Sequence, residues 1–234
     1  MNHKRLTLFA GHYGSGKTNI AVNYALHLAK EGKDVVIADL DIVNPYFRTK
    51  DSAAVLEAAG VKLISPQFAN SNVDLPALPA EAYRLVQDKS IYGIMDIGGD
   101  DRGAYALGRY VPTLKEENNY RMVFVANASR PLTRTPEEAL EVMREIEEAC
   151  GLAFTDIINN TNLASETTPE TVLDSQDYME KLSCLSGLPI FATTAETAVA
   201  SRLEGKIPNV LPLQLQEKYF DLPSQKPGNR PLWG

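Results

Sequence analysis

Residues 11–18 read Gly-His-Tyr-Gly-Ser-Gly-Lys-Thr, and their flanks limit what this chain can fold into. An apolar run, Leu6-Thr7-Leu8-Phe9-Ala10, precedes them, and a helical pattern from Asn19 to Lys30 follows. Glycines let a backbone curl around an anion with its N–H groups turned inward, and the next helix adds the positive end of its dipole. A Gly-x-x-x-x-Gly-Lys-Thr segment between strand and helix therefore predicts a phosphate cradle. Its members are Gly11, His12, Tyr13, Gly14, Ser15, Gly16, Lys17, Thr18 and Asn19. Lys17 is expected to reach the β- and γ-phosphates and the Thr18 hydroxyl to hold Mg²⁺.

The rest of the chain alternates strand and helix patterns. Strands are expected at Arg5–Ala10, Asp34–Asp39, Val61–Ile64, Ile91–Ile97, Arg121–Asn127, Thr155–Asn159 and Pro189–Thr193. Several have continuous apolar cores, which suit strands covered on both faces. Helices are expected at Thr18–Glu31, Ser52–Ala59, Ala80–Gln87, Ala104–Val111, Pro136–Cys150, Pro169–Ser186 and Ala198–Leu203. Thr135, Pro136 and Glu138 have capping-box spacing, and Gly32 and Gly151 are helix stops. The alternation predicts an α/β fold: a doubly wound, mostly parallel sheet with helices on both faces, a three-layer sandwich. One domain is expected over residues 1–222, with an extended tail over 223–234. The proline-punctuated stretch Phe68–Pro79 reads as a lid or a partner surface.

Charge and cysteine content narrow the function classes. Thirty acids against 23 bases give a net charge of −7, which argues against broad nonspecific nucleic-acid binding. Cys150 and Cys184 are the only cysteines and form no Cys-x-x-Cys, so a thiolate cluster within one chain is not expected. Both are read as buried thiols of a reducing compartment. His3 and His27 are read as surface or packing residues. No apolar stretch approaches the ~20 residues that cross a bilayer, and a cytoplasmic location is expected.

In doubly wound sheets ligands sit beyond the carboxyl ends of the strands. The loops there carry Asp39 and Asp41, then Asp96-Ile97-Gly98-Gly99, then Asn127, then Asn159-Asn160-Thr161-Asn162. With these residues the chain resembles the MinD/ParA branch of the P-loop NTPases, a group that includes the nitrogenase iron protein and CobQ/CobB-type synthetases. The resemblance spans residues 5–205. It rests on the phosphate loop, Val35-Val36-Ile37-Ala38-Asp39-Leu40-Asp41, the Asp96 loop, Val123-Phe124-Val125-Ala126-Asn127, Ile157-Ile158-Asn159-Asn160 and Pro189-Ile190-Phe191-Ala192.

The resemblance implies roles. Lys17 and Thr18 bind phosphate and Mg²⁺. Asp39 and Asp96 lie near Mg²⁺, Asp41 positions the attacking water, the Gly99 amide meets the γ-phosphate, and Asn160 faces the base. No Asn-Lys-x-Asp guanine signature occurs, which favours ATP over GTP. The family's dimeric switches carry Lys-Gly-Gly-x-Gly-Lys-Thr. Here His12 stands at the first lysine and Tyr13 at the first glycine, and Arg48, Arg102 and Arg130 are alternative cations. The expected function is that of an Mg-ATP-dependent ATPase, slow or partner-stimulated, acting as a switch or assembly factor with a homodimeric or unidentified protein partner. The alternatives are an ATP-dependent carboxylate-activating enzyme of the dethiobiotin-synthetase type and a non-catalytic nucleotide sensor.

Overall fold

Every residue of β1, Leu6–Ala10, is buried, because this strand lies in the middle of an eight-stranded sheet. The computed structural model describes residues 3–40, 49–65, 82–98 and 107–215. Asp41, Arg48, Gly99, Arg102, the stretch Phe68–Pro79 and the expected tail all lie outside the described residues, as do residues 104–106 of the helix expected at Ala104–Val111; the helix described there runs later, over Val111–Glu117.

The other strands are β2 (Val35–Leu40), β3 (Lys62–Ile64), β4 (Tyr92–Ile97), β5 (Tyr120–Ala126), β6 (Asp156–Asn159), β7 (Ile190–Glu196) and β8 (Val210–Leu213). Their order is β3-β2-β4-β1-β5-β6-β7-β8, and every pairing is parallel. The order reverses direction at β1, so a crevice opens where its carboxyl end meets the loop of residues 11–16.

Side-chain alternation along the strands builds two cores. Leu6, Leu8, Val36, Ala38, Met95, Met122 and Phe124 pack on one face. Phe9, Val35, Ile37, Ile94, Val123 and Val125 pack on the other. The second face is covered by α1 (Lys17–Lys30) and α2 (Ala53–Ala58). Tyr24 of α1 sits edge-on between Phe9 and Phe191, with ring centroids 5.6 and 6.0 Å away. Such a buried aromatic contributes roughly 1.5–3 kcal/mol by leaving water. The first face is covered by α3 (Ala82–Gln87), α4 (Val111–Glu117), α5 (Pro136–Cys150) and α7 (Gln176–Ser186).

The expected capping box closes around α5: Thr135 Oγ1 accepts from Glu138 N at 3.2 Å, and Thr135 N donates to Glu138 Oε2 at 3.0 Å. The helix expected over Pro169–Ser186 is instead two, α6 (Pro169–Asp174) and α7, with Ser175 between them. The Ser175 hydroxyl donates to the Val172 carbonyl and accepts from Asn159 Nδ2, so the break has a use beside β6. The last expected helix is the short α8 (Thr197–Ala200). Cys184 departs from expectation: it is exposed, whereas Cys150 is buried. A helix repeats every 3.6 residues, and position 184 falls on the outer side of α7, away from Met179 and Leu182.

β8 is not among the expected strands; its four residues include Pro212, and proline is disfavoured within strands generally. It forms at the margin of the sheet, where a missing N–H is tolerated. Just beyond it, Asn23 of α1 substitutes for a neighbouring strand: its Nδ2 donates to Gln214 O at 2.9 Å, and Gln214 N donates to its Oδ1 at 2.8 Å.

Candidate functional site

Gly16 is the N-cap of α1 and stands in the left-handed region, with φ of 90°. That turn brings Lys17 and Thr18 into the first helical positions, where both are buried. A side chain at Gly16 is excluded twice, by this backbone and by Asn160, whose Nδ2 lies 2.2 Å from where a Cβ would stand. Gly11 is similarly confined, with a Cβ position 2.7 Å from the Val125 carbonyl. Between them Ser15 N donates to His12 O at 3.1 Å, closing the loop on itself. Tyr13 is 56% exposed at the rim, and His12 Nδ1 lies 3.0 Å from the Tyr13 carbonyl.

Two carboxylates face the start of α1. Asp39 and Asp96 are register partners on β2 and β4, so they lie side by side on the same face of the sheet. Alternation from Ile37 and Ile94 assigns that face to α1, and both acids are buried. Thr49, in the turn Thr49–Ser52, donates its hydroxyl to Asp96 Oδ2 at 3.1 Å. Thr18, Asp39 and Asp96 are therefore a set of oxygen donors next to the loop, the donor chemistry that suits Mg²⁺.

Asn160 follows β6 and braces the loop. Its Nδ2 donates to Ser15 O at 2.6 Å, and its Oδ1 accepts from the Thr194 hydroxyl at 2.6 Å. Its backbone N–H donates to Ala126 O, tying the ends of β5 and β6. Asn162 Nδ2 donates to the Asn160 carbonyl at 2.7 Å. A cavity of about 300 Å³ opens beside this network, bordered by Gly16, Asn19, Asn160, Thr194, Glu196 and Leu213. It is at the small end of the range for ligand clefts.

Arg130 also reaches the loop: its Nε is 3.8 Å from the Cβ position of Gly14. That Nε is buried and makes no hydrogen bond among the described residues. The side chain thus brings positive charge against the anion cradle.

The structure gathers Gly11 to Asn19, Asp39, Asp96 and Asn160 at one crevice. Thr49 went unrecognised in the sequence; the strand-end stretches at Asn127 and Thr194 were expected beside the crevice, but not their bracing contacts, such as those of the Asn127–Thr133 turn. In that turn Thr133 Oγ1 donates to Asn127 O at 2.8 Å and positions the backbone leading to Arg130. The only local signal is a polar residue just past an apolar strand, and Asn127 after β5 fits it.

The strand order, the glycine loop and the paired acids define the fold of the P-loop nucleoside-triphosphatases. No protein-family model and no curated protein matches the chain. Solved structures do match. FtsY from Mycoplasma mycoides superposes with a TM-score of 0.54 at 18% identity, over 83% of this chain and 61% of that one. Chloroplast FtsY from Physcomitrella patens gives 0.53 at 18%, over 82% and 59%. The signal recognition particle 54 kDa protein from Aeropyrum pernix, solved in complex with GDP, gives 0.52 at 18%, over 82% and 41%. The chain spans about three fifths of the length of the FtsY structures it matches. At these identities the likeness concerns the fold. Among the described residues no helix is long and apolar enough to cross a membrane.

Proposed function

We propose that this chain binds Mg-ATP at the crevice beyond β1 and hydrolyses it slowly or on contact with a partner, acting as a nucleotide-dependent switch or assembly factor. The observation that carries this reading is the geometry at Gly16. Its left-handed turn sets Lys17 and Thr18 at the head of α1, facing the Asp39–Asp96 pair. Lys17 would hold the β- and γ-phosphates, and the loop N–H groups would take up developing charge. Thr18, Asp39 and Asp96 would hold Mg²⁺, directly or through water, and the ion would offset phosphate charge. Asp41 is assigned the orientation of the attacking water and the Gly99 amide a γ-phosphate contact. Asn160 and the cavity next to it would border the base.

GTP is the alternative, favoured by the GDP-bound neighbour of the same fold. ATP is preferred because no Asn-Lys-x-Asp follows β6. Calorimetric titration with ATP and GTP in Mg²⁺ decides the base. Lys17→Ala is expected to abolish binding of the preferred nucleotide, and Asp41→Ala to keep binding but lose phosphate release. Equal affinity in wild type and Lys17→Ala would overturn the site. Solution mass with ADP, ATP and a non-hydrolysable analogue tests for a nucleotide-dependent dimer.

A further inference from the structure

The opposite end of α1 carries a second constellation that the nucleotide site does not use. His27 and Glu31 are four residues apart, so their side chains leave the helix on one face. His3, from the stretch leading into β1, meets them there. His3 Nε2 lies 3.2 Å from Glu31 Oε2, and His27 Nε2 lies 3.3 Å from Glu31 Oε1. The two imidazole rings stand edge to face, with centroids 5.9 Å apart. One ligand atom from each of the three residues can be chosen so that all lie within 4.8 Å of one another. Two of the chain's three histidines are spent here.

The geometry points to a divalent transition-metal site of His-His-Glu type, taking Zn²⁺ or a cation of similar softness. Zinc bonds of 2.0–2.1 Å in a tetrahedron place ligand atoms about 3.3 Å apart. Each imidazole Nε2 already has that spacing to one oxygen of Glu31, His3 to Oε2 and His27 to Oε1. Imidazole nitrogens with one carboxylate select zinc and its neighbours over Mg²⁺ or Ca²⁺, which prefer oxygen alone. An outer partner is also in place: His3 Nδ1 is 2.9 Å from the hydroxyl of Tyr24, itself fully buried. With Nδ1–H donating to that hydroxyl, the Nε2 lone pair is left facing Glu31. This is the arrangement that fixes a metal-binding histidine in one tautomer.

Three protein ligands leave a fourth position. His27 and Glu31 border a cavity of about 480 Å³, together with Asn23, Lys30, Pro212 and Gln214. Water or a small anion reaches the fourth position from that side, and Lys30 adds a positive charge there. The bound ion would join the segment before β1 to the last turn of α1. At 1.5 Å per residue, the 14-residue α1 separates it from the phosphate loop by roughly 21 Å.

The test uses the full chain without an affinity tag or nucleotide, in excess Mg²⁺ to occupy the oxygen-only donors. Zn²⁺ is titrated by calorimetry into wild type, His3→Ala, His27→Ala and Glu31→Gln, with circular dichroism as a check of folding. One zinc per wild-type chain is expected, weakened on the order of tenfold or more in each variant. Cobalt substitution in the wild type reads the ligands without any mutation. Tetrahedral d–d absorption with no thiolate charge-transfer band is expected, which separates this site from Cys184. Absence of zinc binding in wild type, unchanged affinity in His27→Ala and Glu31→Gln, or a thiolate band with cobalt would each overturn the assignment.

Discussion

The carboxamide of Asn160 donates to the carbonyl of Ser15 across 145 positions of sequence, at 2.6 Å. The loop is thereby held from the far side by the residue after β6, while its own backbone closes the Ser15–His12 turn. Asn160→Ala is expected to leave buried polar groups without this partner, costing about 1–3 kcal/mol of stability. Nucleotide affinity should fall with it, since a looser loop must be ordered on binding. Calorimetric melting and nucleotide titration check both, and unchanged values in the two measurements would remove the bracing role.

Gly16→Ala combines two penalties at one atom. The Cβ would stand 2.2 Å from Asn160 Nδ2, and the backbone φ of 90° disfavours any side chain. The double variant Gly16→Ala with Asn160→Ala removes the collision and keeps the backbone strain. Its loss of stability is therefore expected to be smaller than the sum of the two single losses, by roughly 0.5–3 kcal/mol in a double-mutant cycle.

Arg130 stands against Gly14 with its buried Nε free of hydrogen bonds among the described residues. Arg130→Ala is expected to slow phosphate release by about 10²-fold, the usual size for one lost donor at a developing charge. ADP affinity should change less than triphosphate affinity. Single-turnover hydrolysis together with titration of ADP and a non-hydrolysable triphosphate reads the difference.

Arg5 forms a nearly buried pair with Glu117 of α4 and also donates to the carbonyls of Leu85 and Asp88, at 2.8 and 3.0 Å. Arg5→Ala is expected to cost about 1–3 kcal/mol, because the Leu85 and Asp88 carbonyls lose their donor and Glu117 keeps only Lys89, 2.6 Å from its Oε2. Hydrogen bonding from Arg5 holds the Glu117 carboxyl below its ordinary value, against the opposing effect of burial. The stabilisation is thus fully present above the ordinary value of 4.5 and is lost as pH falls through the depressed folded value. Glu117→Gln should flatten that acid limb of the melting-temperature profile, and a profile parallel to wild type would contradict the assignment.

The sheet and the crevice at its strand ends were legible in the sequence because the evidence there is local. Val35-Val36-Ile37-Ala38 has an apolar run that only a doubly covered strand needs, and Gly16-Lys17-Thr18 announces its own backbone. Pro136–Cys150 is a helix as expected, since Thr135, Glu138 and Gly151 mark its ends. What was hidden depends on contacts distant in sequence. Nothing near Asn160 indicates Ser15, and nothing near Thr49 indicates Asp96. His3 and His27 read as surface or packing residues, because their meeting requires β1 and α1 to be docked first. The break at Ser175 escaped notice for the same reason, since its partner Asn159 is on another strand. β8 was missed as well; its proline is disfavoured in strands generally but tolerated at a margin.

That marginal strand has a consequence for how two copies of the chain can meet. A sheet ending in a complete ladder of N–H and C=O groups invites another chain to continue it. Here Pro212 offers no N–H, and the polar groups of the next residue but one are already taken by Asn23. At the opposite margin β3 offers only three residues, with Lys62 exposed. Among the described residues, growth by strand addition has poor footing on either side, a protection against fibrous association, and pairing between copies is better sought on helices and strand-end loops.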